Sequence, residues 1–181
     1  MFRAAHDRTN GPFIPFVRPT NATALLVQPL LNPVPLYHIH RFKKRMVPCD
    51  GDVCLLCDVK AAMEYRCLFP AFDHDCHRLV IVDLPGAHVE CLQLILDVNA
   101  GTIDRVVRIR RHGRENGPIS VSPARVDKVH VCAPWTDERF DLTLDRLFQS
   151  NKTYASACLI EEQKNGFQNC ARLRDLGSVR P

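Results

Sequence analysis

Three cysteines fall within nine residues of this chain, in the run Cys49-Asp50-Gly51-Asp52-Val53-Cys54-Leu55-Leu56-Cys57. Thiolates are preferred donors for zinc, and a Cys-x2-Cys turn presents two sulfurs to one ion. Cys49 arrives from the preceding loop, with Pro48 and Gly51 shaping the bend. A tetrahedral ion needs one more ligand, and a strand ending at His40 is the nearest source. His38 and Cys67 are the alternatives; His40 is preferred because its loop to Cys49 is shorter and easier to close. Four protein ligands leave no open position for water. The run His38-Ile39-His40-Arg41 also lacks the glutamate of the H-x-E arrangement in zinc deaminases. The expectation is therefore a structural Zn²⁺ held by His40, Cys49, Cys54 and Cys57, and a protein that is not an enzyme.

The chain has nine cysteines, an odd number that argues against a complete disulfide framework. Its start, MFRAAHDRTNGPFIPF, has no continuous apolar stretch of the secretory kind, and no 18-residue apolar run occurs anywhere. These features point to a cytoplasmic chain with reduced thiols and no membrane partner, where clustered cysteines serve metals. A second cluster, His74-Asp75-Cys76-His77, reads as a polar turn before a buried strand rather than a metal or thiol–imidazole site.

Period-two and continuous apolar runs suggest strands over 24–28, 36–42, 66–72, 78–84, 105–111, 119–122 and 128–132. Residues 58–65 read as one or two helical turns. The segment 87–97 is ambiguous between helix and strand, and 137–149 is a helix candidate with Leu144, Leu147 and Phe148 on one face. Five to seven short strands with one or two helices imply a mainly β domain, a small closed or partly closed β-barrel with helical additions and a zinc-binding loop. The domain plan is an N-terminal arm (1–20), a β domain (21–133) carrying the zinc loop at 40–57, for which the resemblance described below implies an OB-like fold, a helix (134–151) and a polar, partly disordered extension (152–181).

Basic residues are concentrated in two places. Arg41, Lys43, Lys44 and Arg45 surround Phe42, and Arg108, Arg110 and Arg111 lie on a strand whose alternate residues, Val107 and Ile109, are apolar. A strand that buries one face and shows arginines on the other suits a groove that tracks phosphates. Single-strand binders add aromatic platforms for bases; the candidates are Tyr37, Phe42 and Phe69, with Phe72 and Trp135 behind them.

With these residues in view, the chain resembles the zinc-containing OB-fold single-stranded DNA-binding proteins, the family of the T4-like phage protein. In that family the zinc ligands run His, Cys, Cys, Cys and end in Cys-x2-Cys, the order of His40, Cys49, Cys54 and Cys57, with shorter spacings here. The stretch HRFKKRMVPCDGDVCLLC also resembles a zinc segment of bacterial and mobile-element proteins, in which an arginine-rich strand and a Gly-Pro-hydrophobic turn follow, as Arg108–Arg111 and Gly117-Pro118-Ile119 do here. The specific resemblance covers residues 36–58, with a diffuse echo to about 122. It implies low-specificity binding of single-stranded DNA, ahead of RNA, and protein partners in a replication, recombination or transposition complex. The chain departs from such proteins in its last 30 residues (152–181), which carry five Lys/Arg against three Asp/Glu where they have an acidic tail. The alternative expectation is a protein-interaction subunit of a phage or mobile-element complex.

Overall fold

A computed structural model describes residues 14–98, 105–114, 117–126 and 137–176, with side chains as far as 163. The chain divides into two compact units, one formed by Met1–Ile39 and Glu64–Asp145, the other by His40–Met63 and Arg146–Pro181.

The first unit is built on strands β1 (Phe16–Val17), β2 (Leu25–Pro29), β5 (Met63–Asp73), β6 (Arg78–Pro85), β7 (Val106–Arg111) and β8 (Ile119–Ala124). They pair in the order β1-β6-β5-β2-β7-β8. β1 runs parallel to β6, while β5–β6, β2–β5, β2–β7 and β7–β8 are antiparallel. β3 (Leu36–Phe42) pairs with β5 and with β4 (Arg45–Pro48). The protein is thus mainly sheet, and the sheet is open rather than the closed barrel expected from strand count. No pairing joins β1 to β8 among the described residues. β8 also carries Pro123, which has no N–H to donate and suits an edge.

Alternation sets the faces. Val27, Cys67, Phe69, Ala71, Val80, Val82, Val107 and Ile109 form one apolar layer. Leu92 and Leu96, one helical turn apart on α2 (Val89–Val98), complete that core. The ambiguous segment 87–97 is therefore helical, entered by a short 3-10 turn at Gly86–His88. Gly86 is dictated by close approach, since a Cβ there would lie 2.6 Å from the Tyr65 Cβ. On the other face, the fully buried Asp83 carboxylate accepts from Arg66 Nε at 2.7 Å and pairs with Arg18. This fork-on-carboxylate geometry is what makes a buried charge tolerable.

The second unit holds the β3–β4 hairpin, a 3-10 turn at Gly51–Val53, the short helix α1 (Leu55–Asp58) and the later part of α3 (Asp137–Leu176). Three expectations change here. Residues 58–65 are not helical turns: α1 ends at Asp58 and β5 begins at Met63. β4 has no clear sequence signal, because its turn is Lys43-Lys44 with φ of 45° and 66°, a two-residue left-handed turn usually signalled by Asn-Gly. The helix expected over 137–149 runs on through the supposed extension to Leu176. Asn151, Ala155 and Leu159 form a stripe spaced by four; the first two are buried and Leu159 is half-buried, a pattern too polar and small to stand out by hydrophobicity. The expected strand at 128–132 lies outside the described residues.

A candidate metal centre and two basic surfaces

The hairpin, the 3-10 turn and α1 bring His40, Cys49, Cys54 and Cys57 together, with all four ligand atoms within 4.8 Å of one another. Cys49 Sγ lies 3.6 Å from Cys57 Sγ, and His40 Nε2 lies 3.4 Å from Cys54 Sγ and 3.3 Å from Cys57 Sγ. His40 is buried, and its Nδ1–H donates to the Ala61 carbonyl at 3.2 Å. That bond sets the tautomer and turns the Nε2 lone pair toward the sulfurs, as a carbonyl accepting from the far nitrogen of a metal-bound histidine does. Burial pushes the Cys54 thiol up, but backbone groups of Asp50, Cys57 and Leu56 outweigh it and hold it at about 7. Its hydrogen bond with Cys49, burial and Cys54 push the Cys57 thiol up to about 12. Three thiols crowded around one imidazole resist ionising together; a bound cation removes that conflict. The donor set therefore fits a metal ion.

Of the alternative ligands, His38 is exposed and meets the Tyr65 ring edge-on at 4.4 Å between centroids. Cys67 is fully buried in the first unit's core, and burial and Asp83 push its thiol up to about 12. Neither belongs to the cluster. The His74–His77 segment is a turn in which the Asp73 carboxylate accepts the backbone N–H groups of Asp75 and Cys76 at 3.0 and 3.2 Å. Burial and Asp73 raise the Cys76 thiol, the opposite of an activated nucleophile.

The first basic run is largely committed to holding the hairpin. Lys43 pairs with Glu162 at 2.8 Å and lies 5.4 Å from the Phe42 ring centre, and the Arg45 guanidinium sits 3.8 Å over the Tyr154 ring. Arg41 is half-buried with its own contacts. Phe42 packs against the cluster of Val47, Cys54, Leu56 and Ala155. Lys44 alone of this run is exposed without a partner among the described residues.

The arginine strand divides differently. Arg111 donates to the carbonyls of Pro19 and Gly117 at 3.1 and 3.2 Å and is thereby a structural tie. Arg108 and Arg110 are exposed, with no partner among the described residues. They stand in register with the exposed Ser122 and Ser120 on β8, so the hairpin shows two guanidiniums beside two hydroxyls on one face.

The aromatic platforms fare less well. Phe69 and Phe72 are buried, which removes both from stacking. Tyr37 is half-buried, its hydroxyl pushed up to about 12 by burial and by Asp141, Cys67 and Asp145. Trp135 lies outside the described residues. Among the described residues the exposed aromatic is Tyr65, 51% accessible. The sequence pattern conceals it because 58–65 reads as helical, although Tyr65, Cys67, Phe69 and Ala71 already alternate. Register puts Arg108 on the face of Leu26, and Gln28 on that of Phe72. Tyr65, sharing the parity of Cys67 and Phe69, points to the other side.

No protein family, curated protein or solved structure matches the chain. What fold and site define is a mainly β protein with a cluster of one histidine and three cysteines able to hold a metal ion. No helix among the described residues is long and apolar enough to cross a membrane.

Proposed function

We propose that the ion is zinc, that its role is structural, and that the protein is a non-enzymatic binder of single-stranded nucleic acid, with DNA the first ligand to test. Zinc is supported by dimensions. A tetrahedron with Zn–S of ~2.3 Å and Zn–N of ~2.0–2.1 Å has S···S edges of ~3.8 Å and S···N edges of ~3.6 Å. The corresponding separations here are 3.6 Å and 3.3–3.4 Å. One histidine and three cysteines fill all four positions, leaving none for a reacting water.

The observation that carries the binding reading is the unpaired Arg108–Arg110 pair with Ser120 and Ser122 on the β7–β8 face. Residues two apart on a strand are ~7 Å apart, on the order of the step between phosphates of an extended strand. The resemblance to zinc-containing OB-fold proteins is consistent with a sheet face as the platform; the proposal takes over that mode of binding and not barrel closure. With Tyr65 on the opposite side, phosphate contacts dominate and stacking contributes little. Binding should then be modest and salt-dependent, with a log–log slope near about −1.4 for two neutralised phosphates of a single strand.

The test is fluorescence anisotropy of a labelled oligothymidylate titrated with zinc-loaded protein over a range of salt, repeated with the Arg108→Glu/Arg110→Glu double variant. Salt-dependent binding abolished in the variant supports the reading. Absence of binding at low salt, or unchanged binding by the variant, overturns it. The alternative, a protein-interaction subunit, is favoured by one observation: Val53, Leu55 and Val59 around the metal cluster are 81%, 55% and 51% exposed.

A further inference from the structure

Of these, Val53 and Leu55, on the turn and short helix that carry Cys54 and Cys57, line a shallow groove of about 120 Å³. The groove is lined mainly by Val47, Val53, Leu55, Leu56, Ala155 and Leu159, all within the second unit. Its size is somewhat below the ~150 Å³ that accepts a benzene-sized apolar group, so it suits one aliphatic side chain. Exposed apolar surface of this kind, gathered in one place, marks a contact site.

Charge selects the partner. Residues 49–60 contain Asp50, Asp52 and Asp58 against Lys60, and Lys152 lines the groove. Asp50 is paired with Lys152 at 2.5 Å. Asp52 and Asp58 are exposed and have no partner among the described residues. A divalent ion on three thiolates adds a further net negative charge. A surface that is both apolar and anionic repels phosphate, whether of nucleic acid or of an acidic membrane, and attracts cations.

We propose that this surface docks a segment of another protein in which an aliphatic side chain is flanked by lysine or arginine, the aliphatic group entering the groove and the cations meeting Asp52 and Asp58. The proposal rests on a metal-filled cluster but not on nucleic-acid binding, which uses residues of the other unit.

The test is selection of displayed linear peptides on zinc-loaded full-length protein, with the Val53→Glu protein as counter-selection, followed by binding measurements with the synthetic winners. Enriched peptides should pair an aliphatic residue with adjacent Lys or Arg. They should lose at least about ten-fold in affinity to Val53→Glu, the order seen for a buried anchor, and less to Asp52→Lys. Val53 is exposed and not a ligand, so the variant should keep one equivalent of zinc and the parent melting temperature. If it does not, Leu55→Glu, the other exposed groove residue, takes its place. No enrichment over the counter-selected protein, or enrichment of acidic peptides, overturns the proposal. So does self-association lost in the variant, which would make a second copy the occupant. A fall in oligothymidylate binding by Val53→Glu would also overturn it, by assigning the surface to nucleic acid, whereas loss of binding only in the arginine variant leaves it standing.

Discussion

The sheet unit and the metal unit achieve order by different means. In the first, β2, β5, β6 and β7 supply alternate residues to a continuous apolar layer closed by Leu92 and Leu96, and α2 covers it. Burial on this scale carries a fold without help. In the second, the described core is Val47, Cys54, Leu56 and Ala155, with Phe42, Cys49, Ala61 and Leu159 packed around it, and two of those residues belong to the cluster able to hold a metal ion. The unit is smaller than the roughly 70–80 residues below which a core seldom suffices alone. Its other ties among the described residues include surface pairs such as Lys152–Asp50 and Lys43–Glu162, each worth about 0–1 kcal/mol, and the buried bond from Asn151 to the Met46 carbonyl at 2.7 Å. On the proposed reading, a metal cross-link at His40, Cys49, Cys54 and Cys57 takes the place of a larger core where short, polar segments converge.

The largest expected effect is therefore on the metal unit. Cys54→Ser should abolish binding of one equivalent of zinc and melt that unit, because structural zinc contributes apparent free energies of ~10–16 kcal/mol to small folds. Zinc content and a separate low-temperature melting transition report the outcome; full zinc with parent melting breaks the contrast.

Next is Asp83→Ala in the sheet unit, which leaves the buried Arg66 guanidinium with the half-buried Glu64 at 3.8 Å in place of its carboxylate fork. It should cost about 3–5 kcal/mol, measured by denaturant unfolding, with zinc content unchanged. Loss of zinc in this variant would show that the two units are not independently held.

A smaller effect concerns pH. The thiols must deprotonate to bind the ion, and Cys57 is held up at about 12 without it. Zinc loading at neutral pH should release protons, and zinc affinity should fall as pH is lowered. Calorimetry in buffers of different ionisation enthalpy measures the release, and pH-independent affinity would contradict the assignment of thiolate ligands.

The smallest is confined to Tyr37. Its hydroxyl ionises at about 12 in the folded chain against ~10 in an unfolded one. The unfolded state loses this proton first, so the residue's contribution to stability is complete below about pH 10 and is lost as pH rises from there toward about 12. Phenolate absorbance should show one of the three tyrosines titrating late; three equivalent tyrosines would contradict the burial described.

The four-residue cluster was legible because its chemistry is local: Cys49, Cys54 and Cys57 sit in one loop, and His40 is close in sequence. β3, β5, β6 and β7 were legible because burial on one or both faces imposes their apolar patterns. The β3–β4 hairpin was not, since two lysines occupy a turn that sequence usually marks with Asn-Gly. Nor were the roles of the basic residues. Lys43, Arg45 and Arg111 are bound by Glu162, Tyr154 and two carbonyls, partners far along the chain or in a turn the pattern does not reveal, while Arg108 and Arg110 of the same pattern are not. Phe69 was not legible as core because an aromatic on a short strand reads alike whether it stacks or packs.

Hydrogen exchange on the zinc-loaded protein before and after chelation tests the contrast between the units most directly. The account predicts that amides in 40–63 and 146–163 lose protection on metal removal, while those of β2, β6, β7 and the part of β5 from Glu64 onward keep it. Unchanged protection around His40, Cys54 and Cys57, or a loss spread equally over both units, would contradict it.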